Sequence, residues 1–279
     1  PGTTAAGGAT GTVGTQLSWV PDIEWAAWYL AEANGNFADR GVTSVLGHGG
    51  PNTHAVVQVL AAGDGQIGLS GDELEILNAN ATGADYIALA AMYQRSPFGY
   101  CWLAETPISG PADLVGRRIG GVQGDQIRID AIFEINGLPV DYEFVPMSYD
   151  PQPLVDGEMD IITCYVTNQP VQFALQGVEV NSAPFSDFGL PSYGDVIFAS
   201  RAWVAENRDL VVQYLAALLD GVDANRADPT AAVPILVEQY GADNEIDEAY
   251  ATAGQAGGMA RVDSDCTGGS GLVAGGPAL

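Results

Sequence analysis

Short strand-like runs alternate with helix-patterned segments from residue 16 onward, and this alternation is the feature that most constrains the fold. Three such pairs come in succession, and their spacing does not suit β-hairpins. Strands that alternate with helices pair in parallel, so an α/β fold is expected. The three strands are predicted at Gln16–Val20, Gly41–Leu46 and Gln66–Leu69, and the helices at residues 23–33, 52–62 and 72–81.

The alternation is interrupted twice, near residues 93–104 and near residues 193–200, and the chain after the second interruption is nearly all helical in pattern. Two crossings of this kind predict two α/β lobes joined by paired segments. Lobe one would comprise residues 16–96 and 200–279, and lobe two residues 97–199. Residues 1–15 lack charges and large side chains, which predicts a flexible tether. A cleft between two such lobes is a common site for a small ligand.

The stretch Gln16–Ala33, QLSWVPDIEWAAWYLAEA, predicts the local geometry of that cleft. A break at Pro21–Asp22 separates a strand from a helix, and Asp22 suits the N-cap position. Trp19 and Trp25 flank the break, at the strand end where open α/β sheets place ligands. Trp28 lies further along the helix and is interpreted as core.

The charge balance excludes several classes of partner. The formal net charge is −26 at pH 7, and the nine basic residues are all arginine. No basic patch is then available to displace counterions, so nucleic acid is not expected as a partner and an anionic membrane surface is disfavoured. No run approaches 18 apolar residues, so no transmembrane helix is expected.

Three cysteines, Cys101, Cys164 and Cys266, cannot all pair with one another. Cys101 and Cys164 lie in strand-like runs, where they would be either buried thiols or one disulfide, and Cys266 lies in a Gly-rich tail. The cysteine count alone does not identify the cellular compartment.

Several stretches together resemble a known family. They are LSWVPDIEWAAWYLAEANGNFADRGV, VVQVLAAGDGQIGLSG, ISGPADLVGRRIGG and PLVDGEMDIITCYVTNQP, within residues 16–240. Their order and spacing are similar to those of the solute-binding proteins of ABC importers in the sulfonate/nitrate and thiamine-pyrimidine-precursor superfamily. Two positions depart from the family pattern: Gln66 replaces an acidic residue, and Trp25 stands where many pyrimidine-precursor binders have histidine.

The resemblance implies a type II periplasmic-binding-protein fold that closes around one small molecule and delivers it to an ABC permease. No cofactor, metal or catalytic residue is implied, and a monomer is expected. The N-terminal Gly/Ala/Thr stretch is similar to the tether behind the lipidated cysteine of Gram-positive lipoproteins. The absence of an initiator Met suggests a processed protein whose export segment is missing. The expected location is therefore extracytoplasmic, tethered to the membrane at the cell surface or in the periplasm.

Aromatic side chains at predicted strand ends and crossings are the first group of candidate ligand contacts. A planar heterocycle held between two rings gains about 0.5–1.5 kcal/mol per pair beyond the burial of its surface. The candidates are Trp19, Trp25, Tyr93, Tyr165 and Tyr193.

Polar side chains at helix starts and turns form the second group. A carboxyl or amide group matches the adjacent donor and acceptor of an aminopyrimidine edge, and backbone N–H groups at a helix start favour anions. Asp22 has the simpler explanation of helix capping. The candidates are Asp22, Glu24, Ser70, Asp72, Gln123, Asn168 and Asp187, with Asp195, Glu73 and Gln169 beside them.

Histidine and arginine give weaker signals. His48 and His54 have a spacing that does not suit a metal pair on one helix, so no metal site is expected. Arg95, at the first crossing, is the one cation expected to reach the cleft. An ion pair that anchors the hinge explains it better than a contact with a ligand.

Three functions compete at this point. The preferred one is a receptor for a small aromatic N-heterocycle, either a pyrimidine precursor of thiamine or a flavin such as riboflavin, in vitamin uptake. The second is a receptor of the same family for an alkanesulfonate or similar anion. The third is an enzyme that resembles thiamine-pyrimidine synthase, for which a histidine and cysteine cluster would be expected. The scattered histidines and cysteines argue against it, so no enzymatic activity is predicted.

Overall fold

The computed structural model describes residues 10–50, 53–122, 124–148, 150–244, 246, 248–255 and 273–274. The α/β prediction is confirmed. The strands are β1 (Gly11–Gln16), β2 (Val42–Gly47), β3 (Ile67–Ser70), β4 (Tyr86–Tyr93), β5 (Phe98–Leu103), β6 (Arg118–Gly121), β7 (Glu143–Pro146), β8 (Ile161–Tyr165), β9 (Val180–Pro184), β10 (Gly194–Ser200) and β11 (Val273–Ala274).

The helices that connect and cover these strands are short, apart from one long helix near the C-terminal end of lobe one. They are α1 (Ala26–Ala33), α2 (Asn36–Asp39), α3 (Val56–Ala62), α4 (Glu73–Ala81), α5 (Gln126–Ile135), α6 (Gln152–Val155), α7 (Gln169–Leu175), α8 (Arg201–Glu206), α9 (Arg208–Ala227) and α10 (Ala232–Asn244). Residues 248–255 are helical as well. In the described part of the chain, no helix combines the length and the apolar character needed to cross a membrane.

The strands form two sheets. The first sheet has the order β11-β4-β10-β3-β1-β2, and the second has the order β7-β6-β8-β5-β9. In the first sheet β1 runs parallel to β2 and β3, while β10 is antiparallel to β3 and β4. In the second sheet β6 runs parallel to β7 and β8, while β5 is antiparallel to β8 and β9. Lobe one is the part of the chain built on the first sheet, and lobe two is the part built on the second.

The antiparallel strand of each sheet directly follows a crossing from the other lobe. The crossings run side by side, because the N–H of Ser96 donates to the carbonyl of Ser192 at 2.9 Å. Gly194 already belongs to β10 in the first sheet, so the predicted boundary of lobe two at residue 199 is wrong. A strand-like run gives no sign of the sheet that it joins.

The first strand also differs from the prediction. It covers Gly11–Gln16 and pairs with β2 along its whole length, whereas residues 17–20 form a turn. The small residues that predicted a tether through residue 15 let this strand lie inside the lobe, where Val13 and Thr15 are buried. Gln66 accepts a hydrogen bond from the N–H of Gly14 at 2.7 Å, which ties the strand to β3. For residues 1–9, outside the described part, the tether remains a prediction.

The core of lobe one forms between α1 and α9. Trp28 is fully buried, as predicted, and its Nε1–H donates to the hydroxyl of Tyr214 at 2.8 Å. Gly221 permits the close approach of the helices, since a Cβ there would lie 2.1 Å from the carbonyl oxygen of Ala27. Packing at this density holds α1, and therefore the turn before it, in a fixed place.

Lobe two is covalently fixed across its sheet. Cys101 on β5 and Cys164 on β8 form a disulfide, which decides between the two alternatives that the sequence left open. Both residues are buried, beside a cluster that includes Leu154 and Phe173. Cys266 lies outside the described residues.

We expect removal of this disulfide to lower the free energy of unfolding by about 2–4 kcal/mol, because the cross-link restricts the unfolded chain across a separation of 63 residues. Urea denaturation of Cys101→Ala/Cys164→Ala against the wild type measures the difference. Dithiothreitol should destabilise the wild type by a similar amount and leave the double variant unchanged. Equal midpoints for the oxidised wild type and the double variant would contradict the prediction.

Candidate functional site

A cavity of about 620 Å³ lies between the two lobes. Lobe one contributes the turn after β1 and one face of α4, and lobe two contributes the segments that follow β6 and β8. It therefore lies at the carboxyl ends of parallel strands, where open α/β sheets bind ligands. The volume falls in the range of about 300–1,000 Å³ that is usual for small-molecule sites.

Aromatic rings from both lobes line this cavity. Trp19 contributes from the turn after β1, and Phe98 and Tyr165 contribute from lobe two, with their ring centroids 5.6 Å apart. The turn that carries Trp19 is held by Gly49, whose N–H donates to the Trp19 carbonyl at 2.8 Å. A Cβ at Gly49 would lie 2.5 Å from the carbonyl oxygen of Ser18, so only glycine allows this approach. Phe98 was not predicted, although its position directly after the first crossing was a usable signal.

Trp25 and Tyr193 do not line the cavity. Trp25 is 0% exposed, donates from Nε1 to the carbonyl of Val20 at 2.9 Å and packs edge-on against Trp28. The predicted ligand contact of Trp25 is thus not matched by a place in the cavity wall, because its indole faces the core. Tyr193, also predicted to contact a ligand, is 49% exposed on the second crossing, outside the cavity.

A smaller cavity of about 60 Å³ lies behind the main one, on the side of α9. Tyr93, Asp22 and Asn168 line it, and Asn168 also lines the main cavity. Tyr93 is therefore placed beside the second cavity and not in the main ligand space.

Asp22 joins the two lobes. Its carboxylate accepts from the N–H of Glu24 at 3.1 Å, which is the predicted capping bond, and from the hydroxyl of Tyr250 at 2.7 Å. It also accepts from Nδ2 of Asn168 in lobe two at 3.0 Å. Burial raises the pKa of Asp22, although these hydrogen bonds favour its charged form.

Glu24 and Asp195 form a buried carboxyl pair, in which Glu24 lines both cavities and Asp195 lines the smaller one. Burial raises the pKa of Asp195 to about 7, and burial together with the charges of Asp195 and Asp22 raises the pKa of Glu24 well above its usual range. The two carboxyl groups together therefore retain a proton to a higher pH than ordinary carboxyl groups do. Tyr165 completes the group, because its hydroxyl lies 3.1 Å from Oδ1 of Asp195 and 3.1 Å from the carbonyl of Gly71.

The backbone of Asp195 is itself unusual. Its φ is 50°, and among the described residues it is the only non-glycine residue with a positive φ. A left-handed conformation at a buried, hydrogen-bonded carboxyl is typical of a position where geometry is set by function.

Asp72 and Arg128 form an ion pair across the cleft. Asp72 caps α4 through the N–H of Leu74 at 2.9 Å and accepts from Nε and Nη2 of Arg128 at 2.5 and 2.8 Å. Asp72 belongs to lobe one and Arg128 to lobe two. Sequence reasoning missed Arg128 and expected Arg95 to be the cation that reaches the cleft. That expectation was wrong: Arg95 lies at the surface, paired with Asp187 in lobe two.

The remaining predicted residues lie apart from the main cavity. Ser70 is buried at the end of β3 and does not line it, and Asp187 is exposed in its pair with Arg95. The Arg95–Asp187 pair agrees with the interpretation of Arg95 as an anchor beside the hinge. Gln123 lies outside the described residues.

The histidines are separate from the cleft. His48 bonds to the hydroxyl of Tyr29 at 3.0 Å, and burial lowers its pKa to about 4. His54 is exposed. Within the described ranges, no group of three or more histidine, cysteine or acidic side chains is arranged to hold a metal ion.

Comparison with known proteins shows which family this chain belongs to. A family model described as NMT1/THI5 like matches residues 22–232, which is most of the chain. The riboflavin-binding protein RibY of Chloroflexus aurantiacus is 26% identical over 228 residues, covering 80% of this chain and 64% of RibY. A formylaminopyrimidine-binding protein of Halalkalibacterium halodurans is 25% identical over 235 residues, covering 81% of this chain and 70% of the relative. The chain thus spans about two thirds of the length of these relatives.

A solved structure shares the fold. The periplasmic aliphatic sulphonate binding protein SsuA of Escherichia coli aligns with a TM-score of 0.68 at 17% identity, covering 89% of this chain and 84% of SsuA. The predicted periplasmic-binding-protein fold is therefore confirmed. At this identity the likeness concerns the fold and not the ligand.

The carboxyl pair should make stability depend on pH. Both pKa values are raised in the folded protein, so the native state binds protons more tightly than the unfolded chain does. The contribution of the pair to the free energy of unfolding should therefore be full near pH 4 and be lost as the pH rises through about 7. Asp195→Asn should reduce this slope, since asparagine tolerates a positive φ and can still accept from Glu24. Urea denaturation at pH 4–8 measures the dependence of the free energy of unfolding on pH for both proteins.

The matched control for this change is Asp187→Asn, which removes an exposed carboxylate outside the cavity. It should keep the slope of the wild type. Identical slopes for Asp195→Asn and the wild type would contradict the assignment of a shared proton to the pair.

Proposed function

The chain belongs to the NMT1/THI5-like family, and from that premise and the geometry of the cleft we propose that it is the solute-binding protein of an ABC importer. The two lobes meet around a cavity of small-molecule size and are joined by two adjacent crossings. Such crossings are suited to hinge closure around a ligand. A membrane permease is the proposed partner, to which the closed, loaded form delivers its ligand.

The proposed ligand is a small aromatic N-heterocycle, either a pyrimidine precursor of thiamine or a flavin such as riboflavin. The observation that carries this proposal is the combination, in one cavity, of ring faces and the carboxyl group of Glu24, which is paired with Asp195. Trp19, Phe98 and Tyr165 offer apolar faces for a planar ring. Glu24 lines the same cavity. A protonated carboxyl both donates and accepts, and the raised pKa of Glu24 favours its protonated form, so Glu24 matches the mixed edge of an aminopyrimidine or a flavin.

The names of the sequence relatives support the same class of ligand. One relative is named as a riboflavin-binding protein and the other as a formylaminopyrimidine-binding protein, and both molecules contain a planar, nitrogen-rich ring. The two candidates share stacking and edge hydrogen bonds, so both belong in the first set of ligands to be tested.

An alkanesulfonate is the second candidate, suggested by the fold shared with SsuA. The charges of the cleft disfavour it. Glu75 and Asp125 line the cavity, and the Arg128 guanidinium is already engaged by Asp72. An added anion would therefore meet more negative than positive charge.

Binding without chemical conversion is also part of the proposal. Cys164 in the cavity wall is held in a disulfide and is not a free nucleophile. Asp195 of the carboxyl pair accepts from the hydroxyl of Tyr165, which also lies within hydrogen-bond distance of the Gly71 carbonyl, an arrangement that fixes the position of the pair. The relatives are named as binding proteins. Conversion of a bound heterocycle at a steady rate would contradict this part of the proposal.

The proposed location is outside the cytoplasm. The Cys101–Cys164 disulfide supports it, because disulfides persist in oxidising compartments and are rare in the cytosol. Tethering through a lipid and the monomeric state remain predictions from the sequence.

Native mass spectrometry of the purified protein, followed by tryptophan fluorescence titration, tests the proposed function. A retained mass or saturable quenching with riboflavin or an aminopyrimidine is expected, with no response to ethanesulfonate. Saturable binding of ethanesulfonate alone would contradict the proposed ligand class.

Trp19→Ala should weaken binding of the heterocycle by about 1–3 kcal/mol, the scale of stacking between a base and an aromatic side chain. Trp19→Phe should weaken it by less, since a ring face is kept. Isothermal titration with the ligand identified above measures both. Tyr193→Ala is the matched control, because it removes an exposed ring outside the cavity and should leave the affinity unchanged. Equal affinities of the Trp19→Ala variant and the wild type would contradict the proposal that Trp19 stacks on the ligand.

A further inference from the structure

The cleft contains an arginine whose charge is already matched by the protein itself. Among the described residues that line the main cavity, Arg128 carries the only positive charge. Its side chain is 16% exposed and lies over the ring of Phe98, 5.2 Å from the ring centroid. A guanidinium at the wall of a small-molecule cavity would ordinarily bind a carboxylate, sulfonate or phosphate group of the ligand.

In this protein that place is taken by Asp72. The Nε and Nη2 atoms of Arg128 bond to the two oxygens of Asp72, at 2.5 and 2.8 Å, which is the two-point contact that an anionic ligand would need. The remaining Nη1 lies 3.6 Å from Oδ1 of Asp125. Asp72 is 3% exposed at the side chain and reaches Arg128 from the opposite lobe.

We propose that Asp72 determines the charge specificity of the cleft by occupying Arg128, so that anionic ligands are excluded and neutral or cationic heterocycles are accepted. This inference rests on the proposed function, because it assigns a specificity to the same cavity. It goes beyond that function because it names a residue that prevents an anionic ligand from contacting Arg128.

Competition favours the resident carboxylate strongly. Asp72 is part of the chain and is held in place as the cap of α4, so it meets Arg128 at a far higher effective concentration than a free anion does. An anion that displaced it would leave a buried carboxylate without its partner, which is costly. Exclusion therefore follows from the geometry even though the cavity has room for a sulfonate.

The decisive variant is Asp72→Ser. Serine is a good N-cap, so the start of α4 should be kept, and its shorter side chain leaves space beside Arg128. We expect ethanesulfonate to bind this variant at least ten-fold more tightly than the wild type in isothermal titration. The affinity should fall as the salt concentration rises. Ethanesulfonate should also raise the melting temperature of the variant and not that of the wild type, because it restores a partner to a buried guanidinium.

Two further variants serve as controls. Asp72→Ser/Arg128→Gln should lose the gained affinity, since the cation itself is removed. Asp85→Ser removes the carboxylate of an exposed pair with Arg201 and changes the net charge equally, so it should gain no affinity. If Asp72→Ser does not fold, Asp72→Thr, which also suits the N-cap position and has a shorter side chain than aspartate, should show the same gain.

The inference is overturned if a folded Asp72 variant gains no affinity, if the double variant keeps the gain, or if Asp85→Ser gains as much. These outcomes are separable from failure of the proposed function. Titration of the wild type with riboflavin and an aminopyrimidine tests that function, whereas gain of anion binding is measured against the wild type with ethanesulfonate alone.

Discussion

Buried aspartates of lobe one bond to side chains of lobe two, and the shape of the cleft depends on these contacts. The pairs are Asp22 with Asn168, Asp72 with Arg128, and Asp195 with Tyr165. A buried carboxyl is tolerated only where hydrogen bonds, an opposite charge or a proton replace the lost water. Because the other lobe supplies these partners, the buried carboxyl groups gain their hydrogen bonds and ion pair only when the two lobes come together.

The three carboxyls are compensated in different ways, and the difference matters for ligand choice. Asp22 relies on hydrogen bonds, Asp72 on a guanidinium, and Asp195 on a proton shared with Glu24. A shared proton gives the cleft a donor and an acceptor side by side without adding a full second charge. In the neighbouring ion pair, Asp72 occupies the Arg128 guanidinium, so this cation is not available to an anionic ligand. Both arrangements favour a neutral or cationic ligand with a mixed hydrogen-bonding edge.

The sequence predicts the fold well because the residue patterns of strands and helices can be read directly from it. It predicts the site less well because the direction in which each side chain points cannot. The two lobes, the capping role of Asp22 and the cavity positions of Trp19 and Tyr165 follow from segment order and strand ends. Trp25 and Trp19 both flank the break at Pro21–Asp22, yet the turn that leads into α1 directs Trp25 into the core. Arg128 was missed because its partner is 56 residues away in the chain and in the other lobe.

A fold shared with a sulfonate-binding protein therefore leaves the ligand open, and the decision lies in few side chains. The backbone that surrounds the cavity presents strand ends and helix starts to any ligand. In this chain an acid precedes three of the helices beside the cleft: Asp72 before α4, Asp125 before α5, and Asp22 before the turn that leads into α1. Each acid consumes backbone N–H groups or the arginine within its own lobe or across the cleft. Selectivity against anions can thus arise from groups that never contact the ligand, because they occupy the donors that an anion would require.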